Sequence, residues 1–157
     1  MAGGKRGLTM VIRRATAAEA ADVAALVERA YAPWVPVIGR RPGPMDDDYP
    51  MHVAAGEVFV LHRDGALVAI LVLQDAADHV WLDNLAVNPA WKGKGIGRVM
   101  LTFAEEEARR RGFDEIRLLT HQKMAANIAL YTRIGYVETE RRTEAGFDRV
   151  FMTKRLI

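Results

Sequence analysis

The feature that most constrains this fold is a strand that ends at a proline and leads through a glycine-rich loop into a helix. Residues 85 to 98 read LAVNPAWKGKGIGR, and Asn88-Pro89 ends an apolar strand predicted over residues 79 to 87. Beyond the loop, apolar residues recur at helical spacing over residues 95 to 111. This passage from strand to helix indicates an α/β protein.

The loop has the composition of an anion-binding site. Gly93, Gly95 and Gly97 stand at alternate positions, where glycine permits positive φ and a close approach of a ligand to the backbone. The first N–H groups of the helix lack intrahelical partners, and the helix dipole favours an anion there. The charged donors at the loop are Lys92, Lys94 and Arg98. The pattern therefore predicts a pyrophosphate site.

Three alternatives compete with this interpretation. A Walker A loop needs Gly-Lys-Ser/Thr at the start of its helix, which this sequence lacks. A dinucleotide-binding loop reads G-x-G-x-x-G after the first strand of its fold, whereas this loop has alternate glycines in the middle of the chain. A flexible surface turn is the structural alternative, but it does not explain why glycines, cations and the start of a helix coincide.

The other elements alternate between strand and helix. A strand over residues 10 to 13 precedes a capping box at residues 16 to 19 and a helix that extends to about Tyr31. Residues 32 to 50 hold five of the six prolines and predict an irregular segment or a broken helix. Further strands are predicted over residues 57–62, 67–73, 115–120, 137–142 and 149–154, with a helix over 124–134. We expect one domain, residues 1–157, with a flexible tail at residues 1–8.

Composition and charge limit the classes of partner. A net charge of +2 is too small to indicate a nucleic-acid-binding protein. The absence of cysteine excludes disulfides, thiolate metal ligands and a cysteine nucleophile, and it is typical of a cytoplasmic protein. No apolar run approaches the ~20 residues of a membrane span. Glutamates 105–107 and arginines 109–111 form three i,i+4 pairs, which predict a solvated helix face.

The loop resembles motif A of the GNAT superfamily of acyl-CoA-dependent N-acyltransferases, and the segment from Tyr31 to Tyr49 resembles one found in a largely uncharacterised bacterial branch of that superfamily. That motif reads Gln/Arg-x-x-Gly-x-Gly/Ala, and residues 92 to 97 match it with lysine at the first position. Residues 127 to 136, NIALYTRIGY, resemble motif B. The resemblance covers about residues 10 to 156. It implies the GNAT fold, an α/β fold with a mixed, largely antiparallel central sheet of about seven strands, splayed in the middle, with helices on both faces.

The resemblance implies acetyl-CoA as cosubstrate and no metal. The pantetheine arm of CoA is expected to pair with the strand before the loop, and an N–H near Leu85 is expected to polarise the thioester carbonyl. Asn127 is expected to contact the CoA arm from the later helix. The expected CoA-binding residues are Leu85, Ala86, Val87, Lys92, Gly93, Lys94, Gly95, Ile96, Gly97, Arg98, Asn127 and Tyr131.

The same resemblance makes Tyr131 the general acid toward the leaving thiolate, whereas its structural alternative is a half-buried aromatic with a satisfied hydroxyl. Two residues are candidates for the general base. Asp83 lies two residues before Leu85, and His121 follows the strand after the loop. The structural alternatives are a hydrogen-bonded strand residue for Asp83 and a residue at the entry of a helix for His121. A water chain to a distant carboxylate is a third route for the proton.

The acceptor is expected to bind at the proline-rich segment, where Arg40 and Arg41 would hold a carboxylate and the aspartates would attract a cationic amine. The alternative is a solvated loop packed by Met45 and Tyr49. The residues assigned to this site are Tyr31, Trp34, Arg40, Arg41, Met45 and Tyr49.

Three functions fit the sequence. The first is acetyl transfer to the primary amine of a small molecule within a ternary complex. The second is acetylation of a protein N-terminus or lysine, and the third is a non-catalytic acyl-CoA-binding regulatory module. The resemblance also implies a homodimer as one arrangement, without a membrane or nucleic-acid partner.

Overall fold

The computed structural model describes residues 10–157, so the tail predicted at residues 1–8 lies outside the described residues. Within residues 10–157 there are seven strands and five α-helices. The strands are β1 (Val11–Arg14), β2 (Val58–Arg63), β3 (Ala66–Asp75), β4 (Val80–Val87), β5 (Glu115–His121), β6 (Val137–Glu144) and β7 (Phe147–Arg155). The helices are α1 (Ala20–Tyr31), α2 (Trp34–Ile38), α3 (Tyr49–Ala54), α4 (Ile96–Arg110) and α5 (Ala125–Arg133).

The sheet has the order β1-β2-β3-β4-β5-β7-β6 and is mixed. β4 and β5 are parallel, whereas β1–β2, β2–β3, β5–β7 and β6–β7 are antiparallel. The β4–β5 ladder joins residues 80–82 to residues 116–118, although β4 runs on to Val87. A ladder of this kind, shorter than its strand, is expected where a sheet is splayed. The seven-stranded, largely antiparallel α/β fold expected from the resemblance is confirmed.

The chain divides into two compact units. Among the described residues, the first comprises residues 10–73 together with Asn84–Phe103, and the second comprises Gln74–Asp83 together with Ala104–Ile157. The division falls within β4 and within α4.

The core of the first unit lies between two helices and the β2–β3 hairpin. Apolar side chains at helical spacing on α1, including Val23, Leu26 and Val27, are fully buried. They pack in one cluster with Tyr49 and Val53 of α3, and with alternate residues of the hairpin. The other face of β2 is also covered, because the rings of Phe59 and Phe103 of α4 have centroids 5.0 Å apart. Helices therefore cover both faces of the sheet in this unit, as predicted.

Residues 32 to 50 form a broken helix, the second of the two predicted alternatives. α2 ends at Gly39, which has φ 91°, a left-handed conformation that suits glycine. A 3-10 turn over Gly43–Asp46 follows, and α3 then begins after Asp48, whose carboxylate caps the helix by accepting from the Met51 N–H at 3.1 Å. α3 was not predicted from the sequence.

The second unit is built on β5, β6 and β7 with α5 and the second half of α4. The alternation of β5 buries Ile116, Leu118 and Thr120. Lys154 of β7 donates to Glu105 of α4 at 2.9 Å and to the carbonyl of Ile134 at 2.7 Å.

The prediction of a solvated face on α4 was wrong for two of its three glutamates. Glu105 and Glu107 are 8% and 7% exposed, whereas Glu106 is exposed. Lys154 binds Glu105, and Glu107 accepts from Arg110 and Arg111 together. Two of these cations also connect α4 to other elements, because Lys154 lies on β7 and Arg111 binds Asp75 of β3 at 2.7 Å. None of the helices described over residues 10–157 is long and apolar enough to cross a membrane.

Candidate functional site

The glycine loop has the backbone conformation that the sequence predicts at two of its three glycines. Gly93 and Gly95 have φ values of 74° and 77°, in the left-handed region that favours glycine. A Cβ added at either would meet no protein atom within 4 Å, so the space over both residues is open. Gly97 differs, since it lies in the first turn of α4 and is not among the positive-φ glycines.

The loop is fixed to β3 through Asn88. The Asn88 N–H donates to the Val68 carbonyl at 2.7 Å, and its side-chain amide donates to the Leu67 carbonyl at 3.2 Å. Its side-chain oxygen accepts from the Ala90 N–H and caps a 3-10 turn. These hydrogen bonds fix the segment that leads into α4. The first N–H groups of this helix have no intrahelical acceptor. The side chains of Lys92, Lys94 and Arg98 are exposed around it. These features suit an anionic ligand.

β4 alternates strictly between buried and half-buried side chains. Asn84 and Ala86 are buried, whereas Asp83, Leu85 and Val87 are half-buried. Asp83 and Leu85 therefore share a face of the strand, as the sequence predicts. The Asp83 carboxylate accepts from the indole N–H of Trp81 at 3.3 Å.

Tyr131 is buried on α5, and burial raises the pKa of its hydroxyl to about 12. Its ring lies against that of Tyr136, with centroids 5.7 Å apart. The hydroxyl therefore keeps its proton at any working pH. Asn127, one helical turn earlier, is half-buried.

His121 ends β5, packed edge-on against Phe147 with ring centroids 6.2 Å apart. Its Nδ1 accepts from the backbone N–H of Lys123 at 3.1 Å, and its Nε2 faces the backbone N–H of Asp148 at 3.4 Å. Desolvation lowers the pKa of the imidazole, so His121 is neutral near pH 7.

Two of the predicted acceptor residues meet at a buried asparagine. The Tyr31 hydroxyl donates to Oδ1 of Asn84 at 2.7 Å, and Nδ2 of Asn84 donates to the Tyr49 hydroxyl at 2.9 Å. Tyr49 in turn donates to the carbonyl of Pro44 at 2.6 Å. This network joins the end of α1 and the start of α3 to β4, next to Leu85.

Arg41 is engaged within the chain. Its guanidinium binds the Glu28 carboxylate through two nitrogens at 3.0 and 3.1 Å, and it also binds Asp46 at 3.0 Å. These carboxylates raise the pKa of Arg41 further. Met45 supplies a backbone carbonyl to the same guanidinium, Trp34 is half-buried on α2, and Arg40 is exposed.

Two buried polar residues, Asn84 and His52, were not predicted from the sequence. Asn84 is 4% exposed at an even position of β4 whose even neighbours are apolar, so its polarity on the buried face was a readable signal. His52 is 5% exposed on α3, with Nδ1 2.7 Å from Glu57 and Nε2 3.0 Å from Asp47. The two carboxylates raise its pKa against the opposing effect of burial. No local pattern marks this contact.

The first unit thus brings together the glycine loop, residues 85–87 and the acceptor-side residues Tyr31, Tyr49 and Arg41. The second unit holds Asp83, His121, Asn127 and Tyr131.

This chain is similar to known proteins in part of its sequence and in its fold. The chain is 34% identical over 80 residues to the ribosomal protein bS18 alanine N-acetyltransferase of Escherichia coli (strain K12), a match of 51% of this chain and 54% of that enzyme. The chain thus matches about half the length of this relative.

Two solved structures show the same fold. The paia N-acetyltransferase from Thermoplasma acidophilum in complex with coenzyme A has a TM-score of 0.79 at 16% identity, covering 94% of this chain and 99% of that one. The yncA structure from Salmonella typhimurium with its cofactor acetyl-CoA has a TM-score of 0.74 at 24% identity, covering 95% of each chain. The model of the acetyltransferase (GNAT) family matches residues 23–136, most of the chain and parts of both units, so the chain belongs to this family.

Proposed function

We propose that this protein is an N-acetyltransferase that moves an acetyl group from acetyl-CoA to a primary amine. The observation that carries the proposal is the pair of positive-φ glycines, Gly93 and Gly95, directly before α4. They leave open space over the loop where the pyrophosphate of CoA binds the first N–H groups of the helix. Lys92, Lys94 and Arg98 supply charged donors, and residues 85–87 pair with the pantetheine arm.

Transfer is direct, within a ternary complex. The amine nitrogen attacks the thioester carbonyl carbon, a C–N bond forms, and the C–S bond breaks. A backbone N–H near Leu85 stabilises the oxyanion, and Tyr131 gives its proton to the departing sulfur. The raised pKa of Tyr131 keeps its hydroxyl protonated, so the proton is present when the thiolate leaves. Asn127 contacts the CoA arm.

A base must take a proton from the ammonium before attack. Asp83 has the position of a base, because it lies on the same face of β4 as Leu85. His121 has the protonation state of a base, because desolvation keeps it neutral. Of the two, we propose Asp83 as the general base. Asp83→Asn should then remove the acidic limb of the kcat/KM profile, whereas His121→Gln should leave that limb in place. The reverse result assigns the role to His121.

The acceptor is proposed to be a small cationic amine that binds at the segment from Tyr31 to Tyr49. Three exposed aspartates stand there, and Glu28 and Asp46 hold one of the two arginines. A protein N-terminus is the second candidate, because the E. coli relative is named for the alanine of a ribosomal protein. A panel of polyamines, amino acid amides and alanine-initiated peptides separates the two. We also propose a cytoplasmic location, where acetyl-CoA is available, and a homodimer as one assembly.

Calorimetry with CoA tests the ligand, and turnover tests the reaction. We expect micromolar binding of CoA that weakens about 10-fold in Arg98→Gln, because a charged hydrogen bond to phosphate is lost. Arg155→Gln on β7 is the matched control and should bind like the parent. No binding at high micromolar CoA would refute the proposal. Tight binding without turnover on any amine would identify a non-catalytic acyl-CoA-binding module instead.

A further inference from the structure

Helix α5 ends in a Schellman motif, a turn in which the chain after the helix donates hydrogen bonds back to the last helical carbonyls. The Gly135 N–H donates to the Thr132 carbonyl at 3.1 Å. The Tyr136 N–H donates to the Tyr131 carbonyl at 3.0 Å. Gly135 has φ 107°, a conformation that suits glycine. The turn therefore fixes Tyr136 directly after the helix that carries Tyr131.

The side chains at the two ends of this turn are in contact. The rings of Tyr131 and Tyr136 have centroids 5.7 Å apart, and the two residues are 8% and 2% exposed. An apolar contact between these two positions commonly accompanies a Schellman motif. The position of the Tyr131 ring consequently depends on where the turn holds Tyr136.

A lysine from β7 binds the same turn. The Lys154 ammonium donates to the Ile134 carbonyl at 2.7 Å and to the Glu105 carboxylate of α4 at 2.9 Å. A Cβ added at Gly135 would lie 3.2 Å from Cε of Lys154, so the lysine side chain runs close against the turn. Lys154 therefore connects the end of α5 to both β7 and α4.

Stability alone explains this ion pair poorly. The side chains of Lys154 and Glu105 are 23% and 11% exposed, so both charges lose most of their water on folding. This desolvation commonly offsets the Coulomb energy of a buried pair, and apolar residues of similar volume often stabilise a fold equally well. Apolar residues cannot, however, supply the directed hydrogen bond to the Ile134 carbonyl.

We infer that Lys154 is a positioning residue, which holds the hydroxyl of Tyr131 in place for the departing sulfur. The inference rests on the proposed function, which makes Tyr131 the general acid. Lys154 acts through the Ile134 carbonyl, the Schellman motif and the contact between the two tyrosine rings. Loss of the lysine should therefore slow the transfer step without weakening the binding of either substrate.

Replacement of the ion pair tests this role by kinetics. Glu105→Leu/Lys154→Met leaves neither partner as an unpaired buried charge, so the protein should still fold. We expect kcat to fall about 10- to 100-fold, because a misplacement of about 1 Å has effects of this size. The KM for the best amine of the panel and the Kd for CoA should stay unchanged. An unchanged kcat, or an equal rise in the Kd for CoA, overturns the inference.

A second buried ion pair of α4 provides the matched control. Arg111 donates to Glu107 at 2.8 Å and to Asp75 of β3 at 2.7 Å, so it also joins α4 to a strand. Glu107→Leu/Arg111→Met should change the free energy of unfolding by a similar amount and leave kcat unchanged. An equal fall in kcat in the two double variants would mean that Lys154 acts through stability alone, and it would overturn the inference.

NMR of the tyrosine rings tests the same connection without any activity. The chain has four tyrosines, so single phenylalanine substitutions assign the ring signals of protein that carries carbon-13 in its tyrosines. In Lys154→Gln, which keeps the charge of Glu105, the Tyr131 signals should broaden, because the ring is no longer held in one position. The signals of Tyr31 and Tyr49 should not change. Unchanged Tyr131 signals overturn the inference. Lys154→Gln also replaces the double variant in the kinetics if that variant does not fold.

The two proposals fail in different ways. If the parent acetylates no amine, or if Tyr131→Phe keeps full activity, the proposed reaction or its acid fails, and the inference fails with it. If the parent turns over and Tyr131→Phe is slow, while the variants of Lys154 match the parent in kcat, only the role of Lys154 fails.

Discussion

The rings of Tyr131 and Tyr136 lie against each other with centroids 5.7 Å apart, and burial raises the pKa of both hydroxyls. The negative charge of Glu105 raises the pKa of Tyr136 further. The Tyr136 hydroxyl is buried and finds no hydrogen-bond partner among residues 10–157. The two tyrosines thus share an apolar site, and we assign a chemical role to one of them.

Tyr131→Phe should lower kcat by ~100-fold or more, the usual contribution of a general acid. Because the pKa of Tyr131 is about 12, the parent should show no loss of rate from its deprotonation between about pH 6 and pH 10. Single-turnover measurement of CoA release against pH checks both statements. Full activity of the variant across this range would remove Tyr131 from the mechanism.

Tyr136→Phe and Tyr49→Phe should change stability in opposite directions. Both residues are 2% exposed, but the Tyr49 hydroxyl makes two hydrogen bonds, whereas that of Tyr136 makes none among the described residues. Removing a buried hydroxyl without a partner should raise the free energy of unfolding by up to ~1 kcal/mol. Removing that of Tyr49 orphans Asn84 and Pro44 and should lower it by about 1–3 kcal/mol. Urea unfolding measures both free energies, and equal losses would contradict the difference in hydrogen bonding between the two hydroxyls.

Gly95→Ala should weaken CoA binding more than it weakens the fold. The matched control is Gly65→Ala in the β2–β3 turn, since Gly65 has φ 78° against 77° for Gly95, and an added Cβ meets no atom within 4 Å at either. Backbone strain should therefore cost both variants about 1 kcal/mol of stability. Only Gly95→Ala places a methyl group where the pyrophosphate approaches, so calorimetry should show a loss of CoA affinity for it alone. Equal affinities in the two variants would exclude the loop as the binding site.

Glu19→Gln should lower the stability of the first unit at neutral pH but not near pH 2. The Arg13 guanidinium and the Thr16 N–H bind the Glu19 carboxylate and lower its pKa from 4.5 to about 2. A lowered pKa stabilises the fold above pH 4.5, and that contribution disappears as pH falls toward 2. Gln keeps the capping position but not the charge, so we expect a loss of ~1 kcal/mol at pH 7 that vanishes near pH 2. Glu106→Gln on α4 is the exposed control, and a similar loss there would contradict the assignment.

The glycine loop was predictable because its signals are local. Adjacent residues in the sequence indicate the left-handed backbone, the cations and the start of the helix. The structure confirms the left-handed backbone, with positive φ at Gly93 and Gly95. The Asp64-Gly65 turn was predictable for the same reason. α3 was missed even though its signature, Asp48 as cap and proline in the first turn, stood in the sequence. The dense prolines before it suggested irregular chain instead.

The burial of Glu105 and Asn84 was not predictable in detail because their partners are distant in sequence. Lys154 is 49 residues from Glu105, and Tyr31 is 53 residues from Asn84. Periodicity marks which face of an element is buried, but it does not reveal the polar group that compensates a buried charge. The acceptor side of the site depends on such long-range contacts.

The most direct test of the central claim is the mass of the acetylated product formed beside released CoA. Purified protein with acetyl-CoA and the amine panel should release free thiol in a one-to-one ratio with an amine that gains one acetyl group, and Arg98→Gln should raise the KM for acetyl-CoA. Thiol release without acetylated amine, or no release while the protein stays folded, would contradict the account.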